Sequence, residues 1–326
     1  MKPTQLTIWC NGKFEEAAVA LLRDGTRAHK LVLGDNAYSS VLTAGQSDPA
    51  LAGADVAFGQ PNEADCLRFS RLRWVHLSSA GYTRYDTAEF REGFRSRGAV
   101  LSNSSSVFAE PAAQHVLAMM LALGRQLLAS YRQQTTDRSW LFLEHRSQSR
   151  LLTGQTVLLL GFGSIGRRLA ELLAPFRCTI YAVRRQVRSE RGVHVISEED
   201  LTKVLPLADH VVNILPDNEG TRNWVNARRL ACLKPGARFY NVGRGTTVDQ
   251  NALIEALDSG RLGAAYLDVM EPEPLPPDHP LWSRPNCFIT PHTAGGRHDQ
   301  NEALVRLFLA NLAAFERGDP LPDRVF

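Results

Sequence analysis

Short apolar runs alternate with amphipathic stretches along the first hundred residues. LTIWC (6–10), KLVLG (30–34), ADVAFG (54–59) and WVHLSS (74–79) have the length of strands. Between the first two, FEEAAVALLRDG carries apolar residues at helical spacing before a glycine stop. Strands alternating with helices predict parallel crossovers and a doubly wound α/β sheet. A long helical pattern follows from Val107 to about Gln134, with apolar positions nearly encircling the axis, which predicts burial between layers. From Leu152 the alternation restarts with TVLLLG, CTIYAV, HVVNI, ARFYNV, AAYLDV and CFITP, separated by helical segments such as EGTRNWVNARRLACL and DQNALIEALDSG. This predicts a second parallel sheet of about six strands, the size of a dinucleotide-binding domain. A last amphipathic stretch, QNEALVRLFLANLAAFERG, stops at Gly318 and Pro320.

The turn between TVLLLG and the next helix reads GFGSIG, Gly161 to Gly166. In that context Gly161 suits a tight turn, Gly163 a close approach by a pyrophosphate, and Gly166 tight packing of helix on strand. The helix N-terminus adds unpaired N–H donors. The following strand ends about 20 residues later, where an acid would hold the ribose 2′-hydroxyl of NAD. Arg184 stands there, followed by Arg185 and Arg188. A guanidinium cannot accept a hydrogen bond from a hydroxyl but pairs well with a 2′-phosphate, which favours NADP(H) over NAD(H).

Polar groups also mark the ends of the later strands. NVGRG places Arg244 just beyond one, LDVMEPEP places Asp268 and Glu273 at and beyond the next, and ITPHTAGG places His292 after the last. Ligands of doubly wound sheets sit beyond such carboxyl edges. Arg244 offers a planar fork for a carboxylate and can polarise an adjacent carbonyl. His292 can donate a proton near neutral pH, and Glu273 can orient the imidazole and stabilise its charged form. Pro272 and Pro274 stiffen the loop that presents Glu273.

With these motifs the chain resembles the D-isomer-specific 2-hydroxyacid dehydrogenase family, in its glyoxylate/hydroxypyruvate reductase-like branch. The likeness runs through SSAGYTRYD, AEPAAQHVLAMMLALGRQL, LLLGFGSIGRRLA, NILPDNEGTRNWVN and ITPHTAGG, and is most specific from Asn241 to Gly295. The resemblance implies a Rossmann NAD(P)-binding domain (104–292) inserted in a flavodoxin-like substrate domain (1–103 plus 293–326). It implies that Arg244, Glu273 and His292 are catalytic, and that Asp268 faces the nicotinamide carboxamide. Ser164, Ile165, Leu215, Pro216, Val242 and Gly243 would line the dinucleotide, and the backbone at Ala80 and Gly81 would cradle the substrate carboxylate. Family members commonly form dimers through the nucleotide domain. The implied activity is NADPH-dependent reduction of a small 2-oxoacid, glyoxylate or hydroxypyruvate, to the D-2-hydroxyacid.

A bulkier 2-oxoacid is an alternative substrate, with Trp9, Phe58, Tyr82 or Trp140 lining the pocket. So is 3-phosphoglycerate, with Arg71 and Arg73 as its cations. A NAD(P)-sensing corepressor-like interaction protein is the alternative of another class. Two positions depart from the family pattern: Gln114 replaces a common acid in AAQH, and Arg184 replaces the Asp of NAD-using relatives. Glu273 itself separates the chain from the formate dehydrogenase branch, which carries Gln there.

Composition sharpens only some of this. A net charge of +3 is too small to point to nucleic acid or an anionic membrane. Only five of the 37 basic residues are lysine, so arginine clusters are common here, and the missing acid at position 184 carries more weight than the arginines around it. The five scattered cysteines lack CxxC spacing, and three of them lie in or beside apolar strand-like runs, which reads as small buried hydrophobes in a reducing compartment. The N-terminus lacks a secretory pattern, no run reaches the roughly 18–20 apolar residues of a membrane span, and no metal site is expected. The expectation is a cytoplasmic protein.

Overall fold

The computed structural model describes residues 5–38 and 45–326. The chain divides into two compact units, one running to Phe108 and resuming at Arg297–Phe326, the other Ala109–Gly296.

The first unit holds strands β1 (Thr7–Gly12), β2 (Lys30–Tyr38), β3 (Val56–Gly59), β4 (Trp74–Leu77) and β5 (Val100–Ser102), all parallel in the order β2-β1-β3-β4-β5. Helices α1 (Glu16–Gly25), α2 (Glu63–Arg68) and α3 (Ala88–Arg95) make crossovers. Caps set their starts: Asn62 accepts from the Asp65 N–H and Thr87 from the Phe90 N–H. Period-2 side-chain alternation supplies two cores. Ile8, Cys10, Val56, Phe58 and Trp74 bury on one face, and Trp9, Ala57, Val75 and Leu77 on the other. Trp9 and Phe58 are thus core residues, which excludes them as pocket-lining groups. Arg71 pairs with Asp55, and Arg73, stacked on Phe315, precedes β4 at its amino end. Both stand away from the carboxyl edge where Ala80 and Gly81 follow β4, so they do not form a phosphate site there.

Helix α4 (Ser105–Gly124) leads into the second unit, and the division falls inside it rather than before residue 104. The single helix expected to about Gln134 is instead broken. Gln126 takes a left-handed conformation (φ 58°) before α5 (Leu127–Thr135), and α6 (Phe142–Gln148) follows. By length and mean hydropathy α4 would suffice to cross a membrane, but Glu110, Pro111, Gln114 and His115 interrupt its apolar run, and its Ala113, Val116 and Met120 are buried in the core of this unit.

The second sheet has seven parallel strands rather than six: β6 (Thr156–Leu160), β7 (Thr179–Val183), β8 (His194–Ile196), β9 (His210–Asn213), β10 (Ala237–Asn241), β11 (Leu262–Leu267) and β12 (Cys287–Ile289). Their order, β12-β11-β10-β9-β6-β7-β8, reverses direction between β6 and β9, the switch point of a dinucleotide-binding sheet. Helices α7 (Ser164–Leu173), α8 (Leu201–Val204), α9 (Ala227–Ala231) and α10 (Gln250–Asp258) make the crossovers, with α9 much shorter than its segment suggested. The β7–β8 connection has no helix. The chain then returns to the first unit in α11 (Gln300–Arg317), which buries Leu304, Val305, Phe308 and Leu312 and ends on Gly318 at φ 74°. Beyond it the last residues run antiparallel to β5: the Val325 N–H donates to Leu101 O at 2.8 Å and the Leu101 N–H to Phe326 O at 3.1 Å. The Phe326 ring meets Phe90 and Phe94 edge-on.

Candidate active site

The glycine turn opens α7 as the sequence suggested. Gly161 sits at φ 99°, and a Cβ there would meet Ile214 O at 3.2 Å. At Gly163, which caps α7, nothing lies within 4 Å of an added Cβ, so clear space stands before a helix N-terminus. That geometry fits a pyrophosphate. Ser164 begins the helix, and Ile165 packs against the core. Val242, in the core, follows β10, while Leu215 and Pro216 follow β9. All three therefore lie past the carboxyl ends of strands near the switch point. Arg184 is half-buried at the end of β7, where its Nη1 meets Glu190 Oε1 at 3.4 Å. Arg185 and Arg188 are exposed, the latter bonded to Gln186.

Arg244, Glu273 and His292 belong to this same unit. The His292 Nδ1 and Glu273 Oε2 lie 2.7 Å apart, and Glu273 Oε1 accepts from the Met270 N–H at 3.0 Å. Burial acts to raise the Glu273 carboxyl, but the His292 bond, the Met270 N–H and the Arg244 charge outweigh it and hold the group below its usual value. Arg244 is pushed down by burial, against the pull of Glu273 and Asp217, and its Nη1 donates to Gly243 O at 2.6 Å. It stays charged, since guanidinium values start so high. His292 itself adopts φ 54°, a left-handed conformation uncommon for a residue with a side chain.

What fixes that conformation is Asp268. Only 2% exposed, it accepts from Thr290 Oγ1 (2.5 Å), the Thr293 N–H (2.8 Å) and the Ala294 N–H (3.0 Å), while its carbonyl takes the His292 N–H at 2.9 Å. Both carboxylate oxygens therefore face the His292 segment, and the visible task of Asp268 is to shape it.

A buried network beneath Arg244 escaped the sequence reading. Asn213 and Asn241 end the paired strands β9 and β10, side by side in register. Asn213 Nδ2 donates to Asn241 Oδ1 (2.9 Å) and Thr247 Oγ1 (2.7 Å); Asn241 Nδ2 and Thr247 Oγ1 both reach the Arg244 carbonyl, at 3.2 and 2.7 Å. Gly245 allows this turn to press on its neighbour, since a Cβ there would stand 1.9 Å from Met270 O. The one signal in the sequence was a polar residue terminating two otherwise apolar strands.

In the first unit, the turn after β4 is held similarly. Asn103 Nδ2 donates to Ala80 O at 2.7 Å and Ser79 Oγ to Gly81 O at 2.6 Å. Gln60, buried at the end of β3, donates to Ser78 and Ser79. Ala80 and Gly81 are half-exposed, with their carbonyls fixed.

Comparison with known proteins agrees with this geometry. Residues 117–294 match the family described as D-isomer specific 2-hydroxyacid dehydrogenase, NAD binding domain. A glyoxylate reductase of Pyrococcus furiosus is 32% identical over 265 residues, covering 78% of this chain and 76% of its own. A D-isomer specific 2-hydroxyacid dehydrogenase from Xanthobacter autotrophicus, solved with NADPH and MES, superposes with a TM-score of 0.82 at 26% identity, covering 99% of this chain and 98% of that one. The NADPH-dependent glyoxylate/hydroxypyruvate reductase of Sinorhizobium meliloti, solved with NADP and sulfate, gives 0.78 at 27% identity and 98% of each chain. A glycine turn before a helix N-terminus, a His–Glu pair at a sheet edge and a match over more than half the length lead to one assignment: this chain belongs to the D-isomer specific 2-hydroxyacid dehydrogenase family.

Proposed function

We propose that the protein reduces glyoxylate or hydroxypyruvate to the D-2-hydroxyacid with NADPH. The observation that carries this reading is the 2.7 Å His292–Glu273 pair at the sheet edge that also presents Arg244. The cofactor, when bound along the Gly161–Gly166 turn, supplies the hydride. Arg244 binds the substrate carboxylate and polarises the carbonyl that receives charge. His292 donates the proton to that oxygen, and Glu273 keeps the ring aimed and stabilises its protonated form. Asp268 fixes the His292 segment, while Asn213, Asn241 and Thr247 fix the Arg244 turn. Relatives named as glyoxylate and glyoxylate/hydroxypyruvate reductases support the choice of substrate. The NADP-containing neighbours and Arg184 support the choice of cofactor.

A kinetic matrix of 2-oxoacids against NADH and NADPH tests the proposal. The highest kcat/KM belongs to glyoxylate or hydroxypyruvate with NADPH. Absence of turnover across the panel would falsify the enzyme reading, and a branched or aromatic 2-oxoacid at the top would replace the substrate.

The protein is also proposed to act as a homodimer in a reducing, cytoplasmic setting. Trp140 is 90% exposed, and Leu127, Tyr131, Phe142 and Leu143 on α5 and α6 are exposed beside it in sequence. The two helices are tied by the Ser130 Oγ–His145 Nδ1 bond of 2.8 Å, so this apolar surface is presented by an ordered element. Its five cysteines are free thiols. Sedimentation at micromolar concentration is expected to give twice the chain mass, and Trp140→Asp with Leu143→Asp to shift it to one.

A further inference from the structure

The end of β7 lacks an acid in sequence but acquires one in space. Glu190, in the helix-free β7–β8 connection, accepts from Arg167 Nη1 at 2.6 Å and from Arg184 Nη1 at 3.4 Å. Arg167 lies in α7, one residue past Gly166, with its guanidinium over the Phe162 ring at 5.1 Å. The bridge between Glu190 and Val193 fixes the loop just before β8. The carboxylate is therefore anchored by Arg167 and left within reach of the guanidinium assigned to a 2′-phosphate. The Arg167 bond, above all, holds Glu190 below the usual carboxylate range, so it is charged at neutral pH.

We propose that Glu190 is a cofactor-selectivity residue, which offsets part of the Arg184 charge and supplies the acceptor missing from the end of β7. The proposal rests on the reading of Arg184 as the 2′-phosphate partner. A phosphate carrying about −1.5 to −2 charge, drawn to Arg184, must come close to a fixed like charge. A ribose 2′-hydroxyl meets no such opposition and can donate to the carboxylate. The site thus admits both cofactors, with its preference for the phosphorylated one held below what Arg184 alone would give. Replacing Glu190 by Gln removes one negative charge at nearly constant shape.

The test is calorimetric titration of the full chain, without substrate, using 2′,5′-ADP and 5′-AMP as probes. In Glu190→Gln the ratio of their affinities is expected to move towards 2′,5′-ADP by about tenfold, the size of one like-charge contact in a partly exposed site. An unchanged ratio, or one that moves towards AMP, overturns the proposal. Arg184→Ala separates the two levels of the argument. If it lowers 2′,5′-ADP affinity while Glu190→Gln leaves the ratio alone, only the role of Glu190 fails. If Arg184→Ala leaves 2′,5′-ADP affinity intact, the 2′-phosphate reading fails and the proposal with it. Thermal melts of both variants check that the fold persists.

Discussion

At the scale of residues, Glu273 illustrates how one side chain is tuned by several neighbours. Burial acts to protonate it, and the His292 bond, the Met270 N–H and Arg244 together act more strongly to ionise it. A carboxyl depressed on folding stabilises the fold above the unfolded value of about 4.3, and that contribution fades as pH falls through the folded value. Glu273→Gln keeps an acceptor for Met270 but cannot balance a protonated imidazole. Reduction by this variant is expected to lose about 10²-fold in kcat, measured at saturating NADPH, while the NADPH affinity stays unchanged. Arg244→Ala should lower kcat/KM by about 10²–10³-fold, since it removes a charged donor from the developing oxyanion. Persistent turnover at unchanged KM would refute its assignment. These three residues were legible as candidates because each follows a strand that ends in a Gly- or Pro-marked loop. Glu190 was not, because it lies in an irregular loop where no periodicity connects it to Arg184.

Elements show a different limit on what a sequence reveals. The apolar pattern of α4 continues past Gly124 into α5, so periodicity alone ran through the break at Gln126. Strand β8 has three residues and lies at the sheet edge, too short for alternation to register. The Asn213–Asn241–Thr247 network depends on two strands being neighbours in register, a relation no single segment contains. Its removal has a defined cost. Asn213→Ala leaves Asn241 and Thr247 short of a buried partner, which costs about 1–3 kcal/mol. A lower Tm together with a reduced kcat is expected, because the carbonyl they hold belongs to Arg244; a normal Tm would show that the network is dispensable.

Across the whole molecule, both sheets follow parallel orders that the alternation of strands and helices had implied. Each sheet also buries one histidine. In the first unit His76 bonds Ser102 Oγ at 2.7 Å, and in the second His210 bonds Tyr240 at 2.9 Å and Gln155 at 2.5 Å. Burial lowers both, to about 3. Between the unfolded value of about 6.5 and the folded value of about 3, the unfolded chain binds more protons. Stability therefore declines as pH falls through this window, in both units. His210→Gln should flatten the fall of Tm between pH 6.5 and 4 without abolishing it, since His76 still contributes; an unchanged slope would locate acid sensitivity elsewhere. The antiparallel residues after α11 have a consequence of a colloidal kind. Left bare, β5 would end the first sheet with a row of unpaired amides, a template on which strands of other copies could add. Val325 and Phe326 occupy that template, and the Val325 N–H, the Phe326 carbonyl and the Phe326 ring make the chain its own guard against fibrous growth.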